Sequence, residues 1–318
     1  MIQEVDLHTF LSKTSDWQWV SHTQTQGWIE AFLQERDVRC FMSENIACMG
    51  WVSRKWGRRM LTVNGECLRS QQISNKQVFA FFEHLSKIDA DFVSVNSDSA
   101  YSADYEVGIR QAGFLRPVGM FSTTLSKVVP LDQPYVFDKS WQRNLKQADE
   151  SQLSFVPAVC SEQAADEYVR LHNEMEQRKG FNDGLTVGQL RAILAQQCFR
   201  LAWVDDKDGS HLAGGIVYQR GDYGRFLYSF TTPAGREKSA SYLLYKGWMD
   251  NLCREGVTRF DLGRLSPSKH LKNNLYLFKN GIGGEVVSYN GEWIYTLSRW
   301  LPFAMYIANK YYWKRVQV

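Results

Sequence analysis

The chain lacks any apolar stretch long enough to cross a bilayer. The uncharged run near its end is only the ten residues Trp300 to Asn309, where a spanning helix needs roughly 20. It also lacks an export signal, because MIQEVDLHTF opens with acids where a signal peptide carries a basic region, and no apolar core follows. The six cysteines, Cys40, Cys48, Cys67, Cys160, Cys198 and Cys253, are scattered, with no C-x-x-C and no histidine at zinc spacing. A disulfide framework and a structural metal are therefore not expected, and a reducing, cytoplasmic setting with free thiols is. Charge of one sign is missing too: 37 basic against 34 acidic residues leave a net charge of +3, too mild for a protein that coats nucleic acid. No heptad stretch is present from which a coiled-coil arm could be built.

What is present is an ordinary folding composition, 44% hydrophobic and 22% charged, in 318 residues, enough for two domains of about 150 residues. Aromatics are plentiful at 14%, which suits a heavy core, a broad groove or a lipid-proximal surface alike. Basic residues gather locally in RKWGRR (Arg54 to Arg59) and in KSWQRNLK, which carries Lys139, Arg143 and Lys146; such clusters are solvated surface or anion sites. The ending RWLPFAMYIANKYYWKRVQV interleaves Trp, Phe and Tyr with Lys310, Lys314 and Arg315. That pattern fits a helix lying on an anionic membrane face, and equally a helix docked on the core with a basic outer side.

Hydrophobic periodicity gives a mixed α/β order. A helix in TQGWIEAFLQER precedes two or three antiparallel strands between Phe41 and Val63, an amphipathic helix NKQVFAFFEHLSKI, the strand DFVSVNSD, a short helix around YEVGIRQAGF and a strand through VGMFSTTLSK. The proline-bracketed VVPLDQPYVFDKS reads as a linker, placing one domain at 1–130 and a second at 131–295, with a further helix near the end of the chain. The second domain repeats the pattern: a basic helix Ser140 to Glu150, the strand LSFVPAV, helices at Glu162 to Arg178 and Thr186 to Gln197, three strands, the helix SASYLLYKGWMDNLCREG, and the strand VTRFDLG. In the long helix Leu244, Trp248 and Leu252 form one apolar stripe, and Gly256 is a natural stop.

Within NLYLFKNGIGGE a lysine follows four large apolar residues, Leu275 to Phe278, that read as a buried or half-buried segment. Such a segment disfavours an ammonium unless a polar or anionic partner waits for it. Lys279 either turns outward at the glycine-rich turn or points into a site. Asp261, ending the strand TRFDLG, is the acid best placed to accept a proton or orient a site, although strand-end aspartates before glycine are commonly turn residues. His172 and His270 have no serine or cysteine partner at readable spacing, so no triad is expected.

The order strand, strand with the pair Gly214 and Gly215, strand, long helix, strand resembles the GNAT acyltransferase core. Four stretches in sequence, KSWQRNLKQA, HNEMEQRKGF, YLLYKGWMDNLCREGVTRFDLG and LYLFKNGIGGEVVSYNGEW, resemble the second half of the Fem-type (FemABX) peptidoglycan-bridge aminoacyltransferases. The resemblance implies two tandem GNAT-like domains packed around a groove. It also implies a C-terminal helix over 296–318 that joins the first domain, and an acyltransferase that forms an amide on a phosphate-bearing envelope precursor of peptidoglycan or polysaccharide, with aminoacyl-tRNA as donor and no bound cofactor; the alternatives are an acyl-CoA-dependent N-acyltransferase of exopolysaccharide biosynthesis and a non-catalytic binding module on the same fold. By that resemblance Arg178, in R-x-G-F, is a phosphate ligand and Lys279, in F-K-x-G, is catalytic. Asp261 is the companion acid, and Arg143, Lys146, Tyr276 and Phe278 are further candidates for substrate contact. A cytoplasmic protein at the inner face of the membrane is the implied location. The chain departs from the family at the turn VNGEC (Asn64, Gly65, Glu66), where R-G-P is usual, and after Trp28, where a lysine is usual. It departs from acetyl-CoA enzymes at REKSAS, where Ser239 and Ser241 replace the glycines of the pyrophosphate loop.

Overall fold

The structure, a computed structural model, describes residues 2–55, 57–117, 124–180, 184–265, 274–298, 300–307 and 311. The chain divides into two compact units, residues 1–125 with 287–318, and residues 126–286.

The first unit opens with β1 (Gln3–Val5), α1 (Leu7–Thr14), β2 (Trp19–Val20) and α2 (Gln26–Phe32). The strands β3 (Asp37–Met42), β4 (Ile46–Lys55) and β5 (Arg58–Asn64) then form an antiparallel meander, with the short β6 (Cys67–Leu68) on its flank. The amphipathic helix α3 (Asn75–Ser86) starts at a reciprocal cap, in which Ser74 and Gln77 satisfy each other's amides. It carries the chain over to β7 (Phe92–Ala100), which runs parallel to β5. Helix α4 (Ala103–Gln111) follows, and Val78, Phe81, Phe82, Leu85 and Phe114 are buried around these helices.

The second unit repeats that plan. After β8 (Leu125–Pro130), α5 (Lys139–Glu150), β9 (Ser154–Pro157), α6 (Glu162–Lys179) and α7 (Val187–Leu194), the strands β10 (Phe199–Asp205), β11 (His211–Arg220) and β12 (Tyr223–Thr231) make an antiparallel meander. The short α8 (Pro233–Glu237) and the long α9 (Ala240–Arg254) return the chain to β13 (Arg259–Arg264), parallel to β12. The sheet order is β8-β13-β12-β11-β10-β9. Leu244, Trp248 and Leu252 are fully buried, and they pack with Phe226, Phe260 and Trp141 into one core. After α10 (Asn274–Asn280), β14 (Glu285–Thr296) pairs antiparallel with β7 over Tyr289–Thr296, and α11 (Leu301–Ile307) follows.

Two expectations need correction, and a third falls only partly on the described residues. Val128 to Pro130, at the head of the stretch read as a linker, are paired strand: they face Asp261, Phe260 and Arg259 across the sheet. Of the strand read through VGMFSTTLSK, residues 118–123 lie outside the described residues, and pairing begins in β8. The run Leu275 to Phe278, read as buried or half-buried, is helix: Tyr276 and Phe278 are half-buried, but Leu275 and Leu277 are exposed at 56% and 55%, whereas Lys279 is 7% exposed.

Candidate functional site

In the second unit β12 and β13 are paired at only three positions, Tyr223 with Arg259, Gly224 with Phe260 and Arg225 with Asp261. Beyond them β12 continues to Thr231 alongside β11, while β13 runs to Arg264 against β8, so the two parallel strands part. A bulge marks the same place. The register on β11 passes from Tyr228 opposite Ile216 to Phe226 opposite Val217, leaving Leu227 as an extra residue without a partner position. A bulge of this kind frees backbone groups and re-aims side chains at a site.

Lys279 occupies this opening. Its ammonium donates to the Arg264 carbonyl at 3.0 Å. A Cβ built on Gly263 (φ +81°) would lie 3.4 Å from both Lys279 Nζ and the Phe226 carbonyl, so Nζ sits where the two strands separate. Burial pulls the ammonium down to about 8, with Asp261 acting upward and Arg225 further downward. The surrounding sequence explains the position. Phe278 packs its ring against Trp141, Tyr242 and Tyr245, at 4.8, 5.0 and 4.9 Å between centroids, and Trp141 Nε1 donates to the Phe278 carbonyl at 2.6 Å. Gly281 lets this happen, because a Cβ there would stand 2.5 Å from Trp141 Cδ1 and 2.7 Å from Asp138 Oδ2. The F-K-x-G motif is thus a packed aromatic, an inward lysine and a close approach.

Asp261 is fully buried and its oxygens are taken. Oδ1 accepts from the Ser126 hydroxyl and from the Gly263 amide at 2.7 Å; Oδ2 accepts from Tyr223 Oη at 2.8 Å and lies 3.7 Å from Arg225 Nε. A carboxylate held by this many donors is fixed in place and orients the groups around it. Arg225, itself 6% exposed, is a member of the cluster that sequence reasoning missed. Its one signal was a charge in the otherwise apolar strand YGRFLYSF.

Arg178 is brought to the far end of the same strand. The period of α6 would carry its apolar stripe Tyr168, Leu171 and Met175 on to Arg178; those three are buried, but Arg178 is exposed in the last turn before Gly180, which caps α6 in the left-handed conformation. Its guanidinium instead donates to the Thr231 carbonyl at 2.7 Å. Five residues of strand, about 17 Å, separate Thr231 from Phe226. Lys179 stands with it, its ammonium lowered by burial and by the neighbouring Arg236 and Arg178, so three cations share this end of β12.

At the start of α9, in REKSAS, Ser239 is buried in the left-handed region (φ +59°), and its hydroxyl donates to Asn144 Oδ1 and Gln147 Oε1 of α5 at 2.9 and 3.0 Å. The serine that replaces a glycine therefore ties this helix start to α5. Arg143 and Lys146 are exposed on α5, where Lys146 reaches Glu150 at 3.6 Å. Tyr276 is half-buried on α10. His172 is buried on α6, 3.5 Å from Glu176, whereas His270 lies outside the described residues. Among the described residues no group of three or more His, Cys, Asp and Glu could hold a metal ion.

Residues 137–273 match the acetyltransferase (GNAT) domain family. The chain carries a GNAT acyltransferase domain. Three solved structures share the fold of the whole chain. FemX is 12% identical, with 96% of this chain and 100% of that one covered at a TM-score of 0.77. The C-terminal domain of a putative lysylphosphatidylglycerol synthetase from Agrobacterium fabrum is 14% identical over 94% and 96%, TM-score 0.65. A tandem GNAT protein from the clavulanic acid biosynthesis pathway is 12% identical over 93% and 98%, TM-score 0.51. No curated protein matches the sequence. The fold is two GNAT-like units in tandem; the parting of β12 and β13 lies within the matched residues, and Lys279 lies six residues beyond them.

The first unit has its own buried polar cluster at the VNGEC turn. Glu66, 2% exposed, accepts from the Ser97 hydroxyl and is pushed up to about 7 by burial and by Asp98. Asp98 in turn accepts from Ser21 Oγ at 2.7 Å and lies 3.6 Å from His22 Nδ1. Sequence reading noted this turn only as a departure from R-G-P.

Proposed function

We propose that the protein is a Fem-like acyltransferase that joins the aminoacyl group of an aminoacyl-tRNA to an amine of a phosphate-bearing envelope precursor. The observation that carries this reading is the buried Lys279 ammonium where β12 and β13 part, beside the bulge at Leu227. Its position suits a cation that meets charge developing on a carbonyl oxygen.

The step balances simply. The acceptor amine attacks the ester carbonyl, a C–N bond forms, the ester C–O bond breaks, and the tRNA ribose hydroxyl leaves with the proton shed by the amine. Lys279 stabilises the oxyanion of the intermediate, and Asp261 with Arg225 fixes the strands between which Lys279 reaches. Arg178, with Lys179 and Arg236, supplies the cations for a phosphate about 17 Å away along β12. Transfer from tRNA is favoured over acyl-CoA because Ser239, bonded to Asn144 and Gln147, occupies the helix start that a pyrophosphate loop needs open.

The test is to incubate the purified protein with a mixed aminoacyl-tRNA pool or with acetyl-CoA, in the presence of nucleotide-linked muropeptide precursors, and to read products by mass spectrometry. An aminoacylated precursor is expected. Product from acetyl-CoA alone overturns the donor assignment, and no product from either donor overturns the transferase reading.

A further inference from the structure

The first unit carries a surface that transfer chemistry does not use. Leu297, Trp300, Phe303 and Tyr311 are exposed at 87%, 78%, 56% and 64%. These are four large apolar side chains within 15 residues, on and around α11. Isolated exposed apolar residues need no explanation, but a cluster marks an interaction site. Beside it lies a groove of about 420 Å³ lined by the apolar Ile88, Leu297 and Trp300 and by the charged Arg58, Asp89 and Asp91.

Arg58 is the link to a second motif. It belongs to RKWGRR, whose Arg54 and Lys55 end β4 and whose Arg58 and Arg59 begin β5. The two acids that line the groove are offset by ion pairs: Asp91 accepts from Arg58 and from the Arg59 amide, and Asp89 accepts from the Arg59 guanidinium, while Arg54 is exposed at the end of β4. Residues 296–318 contain Arg299, Lys310, Lys314 and Arg315 and not one Asp or Glu, together with six aromatic residues. Aromatic side chains with an apolar body and a polar edge, flanked by cations, belong at the headgroup level of an anionic bilayer. Among the described residues no helix is long and apolar enough to cross a membrane, so insertion would be shallow.

We infer that α11, the groove beside it and the basic β4–β5 hairpin form one docking surface for an anionic lipid bilayer. The apolar side chains enter the headgroup boundary, and the excess of cations over acids in the two sequence segments, with Arg54 exposed on the hairpin, attracts the lipid phosphates. This holds whether or not the transferase reading does, because its readout is binding and not turnover.

The test is co-sedimentation of the full chain with vesicles of phosphatidylcholine alone and of phosphatidylcholine with phosphatidylglycerol. Binding is expected to the anionic vesicles only, to weaken as salt rises, and to blue-shift tryptophan emission. Replacing Leu297, Trp300 and Phe303 together by Ser, or Arg54, Arg58 and Lys314 together by Gln, is expected to lower the partition at least about tenfold. The arginine variant leaves the apolar cluster intact and separates charge from burial. Equal binding to neutral and anionic vesicles, or undiminished binding by both variants, overturns the inference. So does a self-associated protein that ignores vesicles and becomes monomeric in the Ser variant, since the surface would then be covered by a second copy.

Discussion

Lys279 and Asp261 meet where β12 and β13 separate, yet the ammonium donates to the Arg264 carbonyl and feels the carboxylate only through space. The carboxylate is bound to Ser126, Gly263 and Tyr223 and is near Arg225. The lysine is thereby left with part of its hydrogen-bonding capacity for a substrate, and its proton is held less tightly than that of an exposed lysine.

Its ionisation sets a pH dependence. Burial lowers the Lys279 ammonium to about 8, so a reaction that needs the cation loses rate as pH rises through about 8. An initial-rate profile from pH 6 to 10 is expected to fall there. In Lys279→Arg, which stays charged throughout, any residual activity is expected to show no such fall.

Replacing Asp261 by Asn is expected to destabilise the second unit by about 3–5 kcal/mol, because the buried Arg225 loses its counter-charge. Thermal or urea unfolding followed by fluorescence measures this. Ser126→Ala removes one hydrogen bond to the same carboxylate and is expected to cost about 1 kcal/mol. If Asp261→Asn unfolds like the parent, the cluster does not hold the strands.

Much of the second unit was legible in the sequence, and the reason is local. The stripe Leu244, Trp248, Leu252 and the alternating strands encode their partners by period alone, and F-K-x-G marked Lys279. What was not legible depends on where an element ends. The stripe of α6 projects Arg178 inward, but the helix stops at Gly180 and the side chain turns to Thr231. Leu275 and Leu277 look buried and are not, because α10 turns Phe278 toward Trp141 and leaves its other side to solvent. Arg225 and Ser126 reach Asp261 from strands distant in sequence, a pairing no short pattern carries.

The first unit has a different acid–base signature. Glu66 is raised from an ordinary 4.5 to about 7, so its carboxyl binds a proton more tightly folded than unfolded. The stability this contributes is complete below about 4.5 and is lost as pH rises through about 7. A pKa difference of that size corresponds to roughly 3 kcal/mol. Chemical denaturation at pH 5 and pH 8 is expected to show the first unit weaker at pH 8, and Glu66→Gln is expected to flatten the difference. An unchanged pH slope in that variant contradicts the assignment.

Gly281→Ala tests the packing that aims the lysine. A Cβ there collides with Trp141 and Asp138, so a loss of about 1–3 kcal/mol is expected, with lower turnover as α10 shifts. Stability and rate both at the parent level would show that the close approach of Trp141 does not matter.

The most direct measurement is single-turnover aminoacyl transfer by Lys279→Met with the donor and acceptor identified by mass spectrometry. A fall of about a hundred- to a thousandfold in the chemical step, with donor and acceptor binding near the parent values and the fold intact by circular dichroism, is the expected result. Transfer at the parent rate would contradict a role for the lysine between β12 and β13.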